Sequence, residues 1–468
     1  MTLDDNGTIE SQSLGKLAEL IRARAISPLD VVGAYLRRIE KLNPTLNAIV
    51  TLAPDALERA QEAEAAVTRG DALGPLHGVP LTVKDTIDTA GLRTTSGSAM
   101  RAEFVPERDA PAVARLKAAG AIILGKTNTA EMAMDYTTDN PVFAPTVNPY
   151  DPTLTTGGSS GGEAVAITTC MSPGGIGSDL AGSVRIPAHF CGIVGLKPTV
   201  GRVPGEMQFP PSTGPYSLGA TIGPMARRIS DLHLMFNVLA GIDTAEWTGR
   251  ASLVGSRVAY YTDDGVASVT EETRQAVESA ANALSDAGLI VEQIRPPGAE
   301  QGHDLWLKLF SRASVVQLRN VYAGNEGKGG DFVRWRLATA DDTPAPAIDD
   351  YIKSWLERDR LRAELLSWME HTPLIIAPVG ATPAYKHGTL KVTVGERTMS
   401  TFRAFSYSQT CNVFDLPAVV VPAGRSIEGL PIGVQIIGRP FAEEMVFAAA
   451  AIVEEALGGW QAPLMYER

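Results

Sequence analysis

Two serine-bearing glycine stretches stand out in this chain, GGSSGG at 157–162 and DLAGSVRIP at 179–187. Apolar residues hem them in: Ile167, Ile176, Val184, Ile186 and Ile193 surround glycines that a flexible linker would leave among polar neighbours. Buried glycine-rich backbone signals close approach or special dihedral angles, and buried serines must find partners, so the stretches are read as a ligand-facing loop. A serine nucleophile needs a base. The six histidines form no H-x-x-x-H or H-E-x-x-H string, which gives a histidine metal site no local support, and His77 in PLHGVP reads as a hydrogen-bonded loop residue. A lysine held below its usual pKa of ~10.4 by desolvation can serve instead, directly or through a second hydroxyl. Lys84 ends the apolar run Val79-Pro80-Leu81-Thr82-Val83, near the C-terminal edge of a sheet, where open α/β sheets bind ligands. Its neighbour Asp85 is expected on the opposite side of the strand.

Two familiar strings compete with this reading. Gly120 to Thr127, GAIILGKT, matches the P-loop pattern letter for letter. A P-loop follows its strand and wraps phosphate with backbone N–H groups, whereas Ala-Ile-Ile-Leu here is itself strand-forming and points to core. Gly157 to Gly161 satisfies the G-x-S-x-G nucleophile elbow, but an elbow needs a buried strand before it, and residues 151–156 (DPTLTT) are polar and Pro-broken. The elbow also needs a later histidine; His189, His233, His303, His371 and His387 follow, none in a neighbourhood that marks it.

The elements that must carry these residues follow from periodicity. Leu14, Leu17, Leu20, Ile21 and then Val31, Val32, Tyr35, Leu36, Ile39 recur at helical spacing, with Ser27-Pro28 as N-cap and first helical position and Asp30 in the first turn. A third helix is predicted over 55–69, ending before Gly70. From residue 75 the texture becomes short apolar runs punctuated by Gly and Pro, with strands expected at 79–83, 121–124 and 192–196 and a helix over 106–119 closed by Gly120. A strand at 258–261, a helix over 270–287 and a strand at 289–294 repeat the α/β order and are expected to extend the same sheet. Residues 300–400 differ, holding Trp306, Trp335, Trp355 and Trp368 and the loops 324–330 and 341–347. No internal repeat or linker divides the chain, so one domain over 1–468 is expected, with N-terminal helices 1–74, a core at 75–250 and a divergent pocket segment at about 265–400.

Bulk properties narrow the field. A length of 468 residues with 44% hydrophobic and 20% charged residues describes a chain that buries a real core. The net charge of -12 disfavours a general attraction to nucleic acid or anionic membrane. Cys170, Cys191 and Cys411 are far apart with no C-x-x-C spacing, which excludes a disulfide framework and a cysteine metal cluster and makes a reducing cytoplasm the default. The opening MTLDDNGTIE lacks the basic and apolar regions of a signal peptide, and no apolar run reaches the ~18 residues of an integral membrane segment.

Taken together, PLHGVPLTVKD (75–85), GKTNTAEMA (125–133), GGSSGG (157–162), DLAGSVRIPAHFCGIVGLKPT (179–199) and LPIGVQIIG (430–438), with the opening helices SPLDVVGAYLRRIEKLNPTLNA, closely resemble the amidase signature family. The likeness covers nearly the whole chain outside about 265–400. It implies an α/β fold with a mixed twisted central sheet flanked by helices on both faces, and a Ser–cis-Ser–Lys triad. Position by position, Lys84 matches the lysine, Ser159 the cis-serine and Ser183 the nucleophile. The resemblance further implies an oxyanion hole from the backbone N–H groups of Leu180, Ala181, Gly182 and Ser183, with Gly158, Ser160, Asp179 and Arg185 supporting the loops. Two departures are visible: Ala181 and Asp415 replace residues that are commonly glycine. The implied activity is hydrolysis of an amide through an acyl-enzyme without metal or cofactor. Carbamates (urethanes) are candidate substrates as well, and the tryptophan-rich segment points to an apolar or aryl group. The implied partner is a small-molecule substrate, with a homodimer left open. The rivals are an A-type amidotransferase component, which hydrolyses glutamine beside a partner, and a P-loop-like nucleotide-binding protein.

Overall fold

The structure is a computed structural model that describes residues 7–242, 253–342 and 345–463; most of the acidic opening stretch lies outside them. The described residues form thirteen strands: β1 (Ile49–Leu52), β2 (Pro80–Lys84), β3 (Ile122–Thr127), β4 (Gly174–Asp179), β5 (Val194–Lys197), β6 (Thr221–Ala226), β7 (Arg257–Tyr260), β8 (Ile290–Gln293), β9 (Leu374–Pro378), β10 (Lys391–Val394), β11 (Arg397–Ser400), β12 (Ala418–Arg425) and β13 (Pro431–Gly438). Eleven make one sheet in the order β1-β3-β2-β4-β6-β5-β12-β13-β9-β7-β8, and β10 and β11 form a separate hairpin. The sheet is mixed. β2 runs parallel to both β3 and β4, and β7 to both β8 and β9, whereas the remaining pairings are antiparallel. Near-continuous apolar runs such as β2, β3 and β12 are buried along most of their length because helices cover both faces.

The N-terminal helices form where periodicity placed them, at Leu14–Arg22, Pro28–Leu46 and Ala56–Arg69. Ser27 caps the second by accepting from the Leu29 N–H, and Gly70 closes the third in the left-handed region. The helix expected over 106–119 is confined to Pro111–Ala118, since Pro111 sets its first turn. The strand expected at 121–124 continues to Thr127, so Gly125, Lys126 and Thr127 of the P-loop-like string are strand residues. The strand expected from Gly192 starts at Val194. Gly192, at φ +66°, ends a helix over Arg185–Cys191 that the sequence reading did not anticipate. The β7–helix–β8 unit, with its helix at Glu271–Asp286, extends the same sheet as expected.

Close packing of helix on sheet depends on glycine at the centre. A Cβ on Gly175 of β4 would fall 2.0 Å from Glu163 Oε1, and one on Gly177 would fall 2.7 Å from Ser160 Oγ. The helix Gly161–Thr168, buried throughout, therefore rests directly on β4.

Candidate active site

Parallel register sets the first candidate side chain. Thr82 pairs with Gly175 and Val83 with Ile176, which brings Lys84, the last residue of β2, level with the end of β4 that carries Ser178 and Asp179. Lys84 is fully buried. Its Nζ donates to Ser159 Oγ at 2.6 Å and to Ser178 Oγ at 3.0 Å. Burial pulls its pKa down to about 7, against the opposing charges of Asp179 and Glu163. Ser159 follows a cis peptide bond with Gly158, the geometry implied by the resemblance. Asp85 faces away as expected, accepting hydrogen bonds from Thr95 and lying in the field of Lys126.

The second serine block wraps around a buried ion pair. The Asp179 carboxylate receives Arg185 Nε at 3.0 Å and Nη2 at 2.8 Å, Asn412 Nδ2 at 3.0 Å, and the backbone N–H groups of Gly182 and Val184 at 2.9 and 3.1 Å. Burial alone would raise its pKa, but Arg185 and these donors hold it well below the usual carboxylate range. Arg185 reaches further, to Gln435 Oε1 on β13 at 2.9 Å and to Asn412 Oδ1 at 2.7 Å. Gly182 takes φ +109°, and a Cβ there would lie 2.8 Å from Ser408 Cβ, so the turn requires glycine.

Of the two links in the expected relay, Lys84 to Ser159 is made, and no hydrogen bond joins the Ser159 and Ser183 hydroxyls among the described residues. The two serine blocks do meet through the backbone, where the Ser160 N–H donates to the Ser183 carbonyl at 3.2 Å. The Ser160 hydroxyl itself is buried without a partner among the described residues. Of the four implied oxyanion donors, Gly182 is already committed to Asp179, because one N–H has one proton to give. Leu180, Ala181 and Ser183 have no such acceptor among the described residues. Ala181 needs no positive φ, so its difference from glycine is sterically accommodated, whereas Asp415 takes φ +54° and accepts from the Val200 N–H at 2.9 Å. Aspartate tolerates that conformation better than most residues.

Several contacts of the site escaped the sequence reading. Ser178 touches the lysine; its position one residue before Asp179 on a strand beside β2 was the available signal. Glu163 accepts from Thr82 of β2 and, at 2.8 Å, from Thr127 of β3, and burial raises its pKa to about 7. Tyr136 Oη donates to the Ala181 carbonyl at 2.7 Å, and Trp306 Nε1 to the Leu180 carbonyl at 2.8 Å. Trp306 alone of the four tryptophans in its segment makes such a bond; Trp335 is 58% exposed. Among the described residues no group of three or more His, Cys, Asp or Glu side chains is placed to hold a metal ion, and no helix is long and apolar enough to cross a membrane.

A family model for amidases matches residues 30–447. The chain belongs to the amidase signature family. It is an amide-hydrolysing enzyme on the fold that the family shares. Among proteins similar to this amidase, the A component of the glutamyl-tRNA(Gln) amidotransferase of Thermus thermophilus is 33% identical, covering 94% of this chain and 97% of its own. Indoleacetamide hydrolase of Bradyrhizobium diazoefficiens is 32% identical over 97% of this chain and 88% of its own. The crystal structure of a bacterial aryl acylamidase superposes with a TM-score of 0.83 at 27% identity, covering 97% of each chain.

Proposed function

We propose that this amidase uses Lys84, Ser159 and Ser183 as its catalytic residues on a small apolar or aryl amide. Neutral Lys84 accepts a proton through the Ser159 hydroxyl from Ser183, and the Ser183 oxygen attacks the carbonyl carbon. The carbonyl π electrons move onto oxygen, where the N–H groups of Leu180, Ala181 and Ser183 stabilise the charge; Gly182 is left out of that set because Asp179 holds it. As the C–N bond breaks, the stored proton passes to the leaving nitrogen, and water then hydrolyses the acyl-enzyme by the same relay run a second time. The observation that carries the reading is the buried Lys84 amine, 2.6 Å from Ser159 and pulled to a pKa of about 7. Supporting it, Asp179 and Arg185 fix the loop that bears Ser183, and Gly158 and Ser160 flank the cis-serine.

The aromatic residues beside the loop support an apolar or aryl substrate: Trp306 packs on Phe402 at 4.9 Å and on Phe310 at 5.8 Å between ring centroids. Carbamates present the same carbonyl–nitrogen unit and belong in the same screen. Three free, buried cysteines support a cytoplasmic location. Replacing Ser183→Ala is expected to abolish both amide turnover and covalent labelling by a fluorophosphonate, and unchanged turnover would overturn the assignment.

A second reading, a component of an amidotransferase, is favoured by the near full-length similarity to the Thermus thermophilus protein. Glutaminase activity together with a co-purifying partner would select it; turnover of aryl amides by the isolated chain selects the first.

A further inference from the structure

We propose that Trp306 is a positioning residue of the oxyanion site, its indole N–H turning the Leu180–Ala181 peptide so that the Ala181 N–H faces the reacting carbonyl. This deepens the proposed function and rests on its assignment of the Leu180–Ser183 loop. In a trans peptide the C=O and N–H point in opposite directions, so a donor that fixes one end aims the other. Trp306 Nε1 holds the Leu180 carbonyl at 2.8 Å, and the peptide is not among the cis bonds of the chain. The Ala181 N–H is thereby directed away from the indole, and no protein group among the described residues accepts it. The next peptide is built the other way: Tyr136 holds the Ala181 carbonyl at 2.7 Å and its N–H, from Gly182, is spent on Asp179 at 2.9 Å. Two consecutive peptides are thus locked by two aromatic donors, one with its N–H turned inward to structure and the other with its N–H left for a ligand. Accessibility agrees, since Ala181 and Ser183 each keep 7% exposure beside fully buried Val184.

The indole is itself fixed. Trp306 is 9% exposed, and it closes a short helix, Gly302–Trp306, lying against the helix Ser406–Val413. A Cβ on Gly302 would fall 2.1 Å from Thr410 Oγ1, so the two helices approach only because residue 302 is glycine. The divergent segment therefore supplies a determinant of turnover as well as pocket shape.

The test compares wild type, Trp306→Phe and a site-specific replacement of the indole by its sulfur isostere benzothiophene, which keeps ring volume while removing the N–H. Wild type must first show aryl-amide turnover and fluorophosphonate labelling that Ser183→Ala abolishes; failure there sinks the hydrolase reading and is seen before any Trp306 variant is measured. Each variant is then corrected for its labelled fraction. The expected result is an unchanged melting temperature and KM, a kcat lower by roughly 10- to 100-fold, and an equal loss of affinity for a trifluoromethyl ketone that forms a tetrahedral oxyanion on serine. An isostere with full kcat, or a loss confined to KM with the ketone still tightly bound, would overturn the proposal.

Discussion

The amine of Lys84 lies 2.6 Å from the hydroxyl of Ser159 at a position with no solvent exposure. Desolvation disfavours the charged amine, and the nearby Asp179 and Glu163 only partly restore it.

A pH dependence of defined sign follows from that pair. With the neutral amine as the proposed base, kcat/KM should rise with pH and level off above about 7. Linkage gives a second consequence: between about 7 and 10.5 the folded chain holds fewer protons at Lys84 than the unfolded chain, so this residue makes stability rise with pH across that window. Lys84→Met should abolish turnover and flatten that part of the slope, as read from urea midpoints of both proteins at several pH values. A rate profile still climbing steeply beyond pH 9 would contradict the assignment.

Breaking the Asp179–Arg185 pair should cost far more than a surface ion pair, because both side chains are fully buried. Arg185→Leu strands a buried carboxylate and is expected to destabilise the fold by about 3–5 kcal/mol, measured by chemical denaturation. Asp179 has a depressed folded pKa, so its contribution is complete above the ordinary carboxylate range and fades only as pH falls into strong acid. A variant within about 1 kcal/mol of wild type would refute the view of this pair as the brace of the loop.

At the turn before Ser183 the two neighbouring small residues should respond differently. Gly182→Ala forces a side chain into φ +109° and onto Ser408, with an expected cost of about 1–3 kcal/mol and a fall in kcat of at least about tenfold. Ala181→Gly, at a position without positive φ, should keep the loop's geometry and most of the rate. Equal rates for Gly182→Ala and wild type would show that the turn does not set the chemistry.

Sequence legibility tracked the range of the interactions. The lysine at a strand end and the two glycine- and serine-rich stretches were readable because each is a local pattern with a chemical reason, whereas the cis-serine and the supporting roles of Asp179 and Arg185 came from the family resemblance. The resemblance implied Gly182 as a donor but not as a spent one, since its acceptor is known only once the turn is folded. The GAIILGKT string misleads by letters alone: Lys126 is buried in β3 and donates to the Ile87 carbonyl and, at 2.8 Å, to Thr89. Trp306, Asn412 and Gln435 meet the Asp179–Arg185 loop across 126, 233 and 250 residues of chain, and no periodicity or spacing encodes such meetings.

The bare glycines of β4 leave no room for innovation where the helix Gly161–Thr168 settles on the sheet. Any side chain added there collides with the carboxylate or hydroxyl beneath it, so that stratum is frozen whatever compound the protein consumes. Adaptation to new compounds, in nature or in a laboratory library, has to arrive from residues outside that contact.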